Sequence, residues 1–122
     1  MNNKKALFVW ILRIAVAALF VFAALPKLTG QPEPVQVFQS LGAEPYGRYL
    51  TGVLELVAAI IFLVPGKGVF GSLLGILLMA GALGAHAWKL GFAGSAGEMA
   101  AMAAGILLAC IVILVLRPAR QD

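Results

Sequence analysis

The sequence predicts an all-α integral membrane protein whose four helices cross the bilayer as an up-down bundle, with a short surface helix between spans one and two. Three observations carry this prediction. The 122 residues are 62% hydrophobic and only 11% charged, with a mean hydropathy of +1.01, so too little polar surface exists to cover a soluble domain. The apolar residues gather into four runs near the length a helix needs to cross the hydrocarbon. The lysines and arginines stand mostly at the ends of those runs, where membrane anchors sit. The formal charge of +4 is therefore not read as a nucleic-acid surface.

One transmembrane domain over residues 1–122 accommodates spans at about 6–25, 46–64, 69–88 and 98–116. The first is interrupted by Arg13 and the second by Glu55, while the third holds Ser72 and His86 and the fourth has no clearly polar residue. The second reaches spanning length only if its helix starts near Tyr46, because about 20 residues at 1.5 Å each are required. Val64-Pro65-Gly66-Lys67-Gly68 reads as a tight turn and residues 89–97 as a short glycine-rich connection, so neighbouring spans run antiparallel. Lys4 and Lys5 before an apolar run ending in Ala23 and Ala24 also resemble a signal peptide, a reading opposed by Arg13 and by the length of the run.

Residues 29–47 form the longest connection. Pro34 can open a short helix with Val35, Phe38 and Leu41 on one face and Gly42 at its end. The alternative is an irregular loop, since Pro32, Pro34 and Pro45 favour extended chain. With four spans both termini share a side, which carries Lys4, Lys5, Lys67, Arg117 and Arg120 against Lys27, Arg48 and Lys89 opposite. The positive-inside rule then puts the termini in the cytoplasm and Tyr46, Tyr49 and Trp88 in the outer aromatic belt, with Trp10 nearer the inner interface. Small residues four apart, Gly71 with Gly75, Gly81 with Ala85, and Ala101 with Gly105 and Ala109, are expected to pack helices within the bundle.

Glu55 lies about 10 Å of helix below Arg48, well inside the hydrocarbon. A carboxylate at that depth must be protonated, paired or in contact with water. Arg48, Thr51, Gly52 and Ala59 share its helix face, which therefore turns inward. His86 lies about one turn from the outer end of the third span, on a face with Gly75, Met79 and Ala82, and Lys27 ends the first span after Pro26. These three residues occupy the outer half of the bundle. Arg13 is placed four turns from Lys27 on nearly the same face, pointing inward or, the favoured reading, snorkelling to the cytoplasmic surface. Lys27, Glu55, His86, Arg48 and Arg13 are thus the candidate site residues. They form either an ion-pair network, Lys27 with Glu55 and hydrogen-bonded to His86, that docks helices, or a polar pocket able to bind a quinone carbonyl or relay protons. One histidine and the single cysteine, Cys110, inside an apolar run, support no metal or haem site and no disulfide.

Three segments resemble the DoxX-like family of small four-span bacterial membrane proteins. They are Phe22-Ala23-Ala24-Leu25-Pro26-Lys27-Leu28, Arg48-Tyr49-Leu50-Thr51-Gly52-Val53-Leu54-Glu55-Leu56, which is similar to that family's Gly-x-x-Glu-Leu opening of span two, and the small-residue run Met79–His86. Alanine stands at 23 and 24 where many relatives place glycine. The resemblance implies an inner-membrane four-helix bundle and, for some members, association with quinone-linked oxidoreductases. The leading expectation is an accessory subunit in a bacterial inner membrane. It is not an enzyme by itself, it binds quinone or another small apolar ligand, and it partners lipid together with a membrane oxidoreductase or further copies of itself. The alternatives are a small proton-coupled exporter, which needs one intramembrane carboxylate such as Glu55, and a scaffold with no ligand. No catalytic residue is assigned.

Overall fold

A computed structural model describes residues 3–116; Arg117 and Arg120, counted in the charge balance above, lie outside the described residues. Its elements are α1 (Asn3–Thr29), α2 (Pro32–Ser40), α3 (Tyr46–Leu63), α4 (Gly68–Ala85) with a π-helical turn over His86–Leu90, and α5 (Ser95–Leu116), with no strand among the described residues. Four of these helices, counting α4 with its π turn, are long and apolar enough to cross a membrane. α1 packs on α3, α3 on α4, α4 on α5 and α5 on α1, which closes a ring of sequential helices.

The core is built from α1, α3, α4 and α5, where Val16, Phe20, Phe62, Met79, Ile106, Cys110 and Ile113 are buried and Phe20 stacks on Phe62 with ring centroids 6.3 Å apart. Leu7, Phe22, Ile60, Leu77, Leu108 and Val115 face outward. That apolar exterior is what a chain solvated by lipid presents, because tails solvate leucine as well as another leucine would. Two small residues do more than line a face. A Cβ on Gly75 would stand 2.7 Å from Cys110 Sγ and 3.3 Å from Phe20, and one on Gly71 would stand 3.2 Å from the Phe62 ring, so α4 can approach its neighbours only through these glycines. The other stripes depart from expectation: no atom stands within 4 Å of a Cβ on Gly81, which borders a cavity, or on Gly105, and Ala101 is exposed.

The ends of the helices also differ from the sequence reading in instructive ways. α1 runs through Pro26 to Thr29. A proline in the last turn removes only one donor, and Gly30, at φ +72°, then lets Gln31 N–H reach back to Pro26 O at 3.0 Å, a Schellman closure that only the left-handed backbone permits. α2 ends the same way: Gly42 is at φ +73° and Ala43 N–H donates to Phe38 O at 2.9 Å. The connection between spans one and two is therefore helical, opening at Pro32 rather than Pro34. The third span does not continue as α-helix to Trp88 but widens at His86, where Gly91 N–H bonds His86 O, five residues back, at 2.8 Å.

Candidate functional site

A cavity of about 400 Å³ lies between the helices and beneath α2. Its wall is apolar, with Val37, Phe38 and Leu41 of α2 above and Met79, Met102 and Ile106 of α4 and α5 beside it; its polar lining residues are Lys27, Glu33, Thr51, Glu55 and His86. Val37, not Val35, joins Phe38 and Leu41 on the lining face of α2.

Gly52 explains how the first pair is assembled. A Cβ there would sit 2.9 Å from Leu28 and 3.3 Å from Lys27 Cβ, so its absence brings the last turn of α1 onto α3 and puts Lys27 beside Glu55, one helical turn further along α3. Lys27 Nζ stands 3.1 Å from Glu55 Oε1 and donates to Glu55 Oε2 at 3.4 Å and to Ala23 O at 3.1 Å. Although Nζ is within ion-pair range of Oε1, no donor is aligned with that buried oxygen, which is left without a hydrogen bond. The charge is compensated but one acceptor is not, and a residue 2% exposed in a low-dielectric site does not leave a lone pair idle without cost.

His86, 4% exposed, lines the same cavity from the π-helical turn that continues α4. Its Nδ1 is 3.0 Å from Gly91 O and its ring is 6.0 Å from that of Phe92. Among the described residues no hydrogen bond joins His86 to Lys27 or Glu55. The three-member network anticipated from sequence is therefore an ion pair and a histidine separately anchored on one cavity. The reason is the π turn, which closes His86 locally onto Gly91. π turns are rare and are found disproportionately at functional positions, and nothing in the apolar periodicity of residues 69–88 announces one.

The two arginines are elsewhere. Arg48 is buried and grips Glu44 with Nε to Oε1 at 2.7 Å and Nη2 to Oε2 at 3.0 Å, while its Nη1 donates to Lys27 O. It thus fixes the end of α1 behind the cavity without lining it. Glu44, absent from the sequence-level candidates, is its partner; the i, i+4 spacing to Arg48 was the available signal. Arg13 does not snorkel. It is 1% exposed, donates from Nε to Phe62 O and from Nη2 to Val64 O, both at 2.8 Å, and lies 4.1 Å from the centre of the Trp10 ring. The C-terminus of α3 supplies carbonyls that have no intrahelical donor, and a guanidinium fork meets two of them at once.

Compared with known families, the model described as the DoxX-like family matches residues 11–115. No curated protein and no solved structure matches the chain.

Proposed function

The chain belongs to the DoxX-like family and is a small multi-pass membrane protein, and from that premise we propose that it binds a small, largely apolar molecule of the quinone class in the cavity beneath α2. The observation that carries the reading is the composition of that wall: about 400 Å³ of apolar space into which the Lys27–Glu55 pair and His86 bring the few polar atoms that would orient a ring. In this reading the protein is an accessory subunit of a membrane redox system and not itself an enzyme. It sits in a bacterial inner membrane with both termini in the cytoplasm and α2 at the outer interface. Lys27, Glu55 and His86 contact the ligand, and Arg48 and Arg13 hold the helices that present them.

Thermal unfolding in detergent, with and without a short-chain quinone supplied in oxidised and in reduced form, tests this. A ligand that binds only the folded state at 100 times its Kd adds about 2.7 kcal/mol of stability, so a concentration-dependent rise in Tm is expected with at least one form. The absence of any rise with either form would end the ligand reading and leave a scaffold.

A further inference from the structure

We infer that the cavity selects a ligand bearing ring hydroxyl groups, a hydroquinone or phenol, over the corresponding carbonyl-bearing quinone. The inference rests on the ligand reading above and specifies the chemistry of the ligand. It follows from accounting for every polar residue on the cavity wall. Lys27 is the cationic donor among them, and two of its three ammonium protons are committed, to Ala23 O and to Glu55 Oε2, which leaves one. Thr51 gives its hydroxyl proton to Gly47 O at 2.7 Å, so its oxygen has only lone pairs left. His86 Nδ1 faces a carbonyl, Gly91 O, at 3.0 Å, and a carbonyl only accepts. Nδ1 therefore carries the proton, and in the neutral ring Nε2 is an acceptor. Glu55 Oε1 is buried with no aligned donor, and Glu33, on α2 at the cavity's edge, is a carboxylate.

What remains for a ligand is thus a wall on which acceptors outnumber donors: Thr51 Oγ1, His86 Nε2 and Glu33 against one Lys27 N–H, with Glu55 Oε1 buried behind them. A quinone brings only acceptors of its own, so one carbonyl oxygen can meet Lys27 and the other is set against lone pairs. A hydroquinone of the same shape brings two O–H donors. Sites built to hydrogen-bond a hydroxyl discriminate strongly against analogues without it, because the protein's own buried groups are then left unpaired. The π turn is the structural device behind the second acceptor, since it carries Gly91 O to Nδ1 and so fixes which nitrogen is protonated.

The test compares binding of matched pairs to the full chain in detergent. One pair is a short-chain hydroquinone and its quinone under anaerobic conditions. The other, which is redox-inert, is a para-alkylphenol and its methyl ether. The donor-bearing member of each pair is expected to bind about tenfold tighter or more, the factor that corresponds to one satisfied buried acceptor. In Thr51→Val, which removes one acceptor and no charge, that ratio should fall toward one. Equal binding within both pairs, or tighter binding of quinone and methyl ether, overturns the inference while leaving the ligand reading in place. Binding of none of the four compounds overturns both.

Discussion

Arg13 and Arg48 serve one purpose at opposite ends of the α1–α3 pair. Each extends from its own helix to the C-terminus of the neighbour: Arg13 reaches Phe62 O and Val64 O at the end of α3, and Arg48 reaches Lys27 O at the end of α1. A helix C-terminus carries partial negative charge and unsatisfied carbonyls, so a buried guanidinium finds there a counter-dipole. Arg13→Met is expected to lower unfolding stability in detergent by about 1–3 kcal/mol, the range for buried hydrogen bonds to a charged group. Arg13→Lys should fall between, because an ammonium cannot span two carbonyls as a fork does. Equal stability of Arg13→Met and the parent would show that the clasp contributes nothing. The Lys27–Glu55 pair calls for a cycle. Glu55→Gln alone should destabilise by stranding Lys27, and adding Lys27→Met should restore most of the loss if the pair acts chiefly on folding. Glu55 was legible as inward-facing from its depth and from Arg48, Thr51, Gly52 and Ala59 on its helix face, and Lys27 as lying in the same outer half. The direction of Arg13 was not, because snorkelling and capping use the same side chain and only the path of α3 distinguishes them.

At the scale of elements, apolar run length and turn residues were enough to read four spans and to start α3 at Tyr46, since hydrocarbon thickness leaves a helix little choice. Sequence periodicity does not say which small residues meet a neighbour. Gly75 and Gly105 stand at equivalent places in small-residue stripes, yet one is pressed against Cys110 and Phe20 and the other faces outward. Gly75→Ala is therefore expected to cost about 1–3 kcal/mol, the usual range for overpacking. Cys110→Ala should relieve much of that by removing the sulfur 2.7 Å away, whereas Gly105→Ala should be neutral. A cost at Gly105 similar to that at Gly75 would contradict this packing. α2 is the element least held by the rest: none of its residues is buried, and it is bounded by the two left-handed glycines Gly30 and Gly42. Regions with few buried contacts open at low free energy. Amides of residues 35–41 should exchange with deuterium faster than those of residues 52–62, and a bound ligand should slow them because Val37, Phe38 and Leu41 form part of its enclosure. Exchange in α2 as slow as in α3 would mean that the cavity is permanently closed.

For the whole molecule the open quantity is direction. An even number of spans puts residues 3 and 116 on one side together with the Val64–Lys67 turn, and α2 on the other with the cavity beneath it. The lysine and arginine count favours the terminal side as cytoplasmic by five to three, with Arg117 and Arg120 of the five outside the described residues. The structure adds a physical consideration on the opposite side. Lys27 is paired with Glu55 inside the bundle and Arg48 is buried against Glu44, whereas Lys67 on the terminal side is exposed and available to anionic headgroups. Orientation is set by cations near the interface, and two of the three that count toward the α2 side are withdrawn from it in the folded bundle. Tyr46, Tyr49 and Trp88, all exposed, stand at that end. The expectation is then that a cysteine introduced at Gln31, in a Cys110→Ala background, reacts with an impermeant maleimide in right-side-out vesicles. One at Gly66 should react only after permeabilisation. Both positions are solvent-exposed, so unequal labelling reports the side of the membrane and not burial. Labelling of Gly66 from outside would invert the molecule and open the cavity's α2 face to the cytoplasm, so that its ligand would exchange with the opposite leaflet.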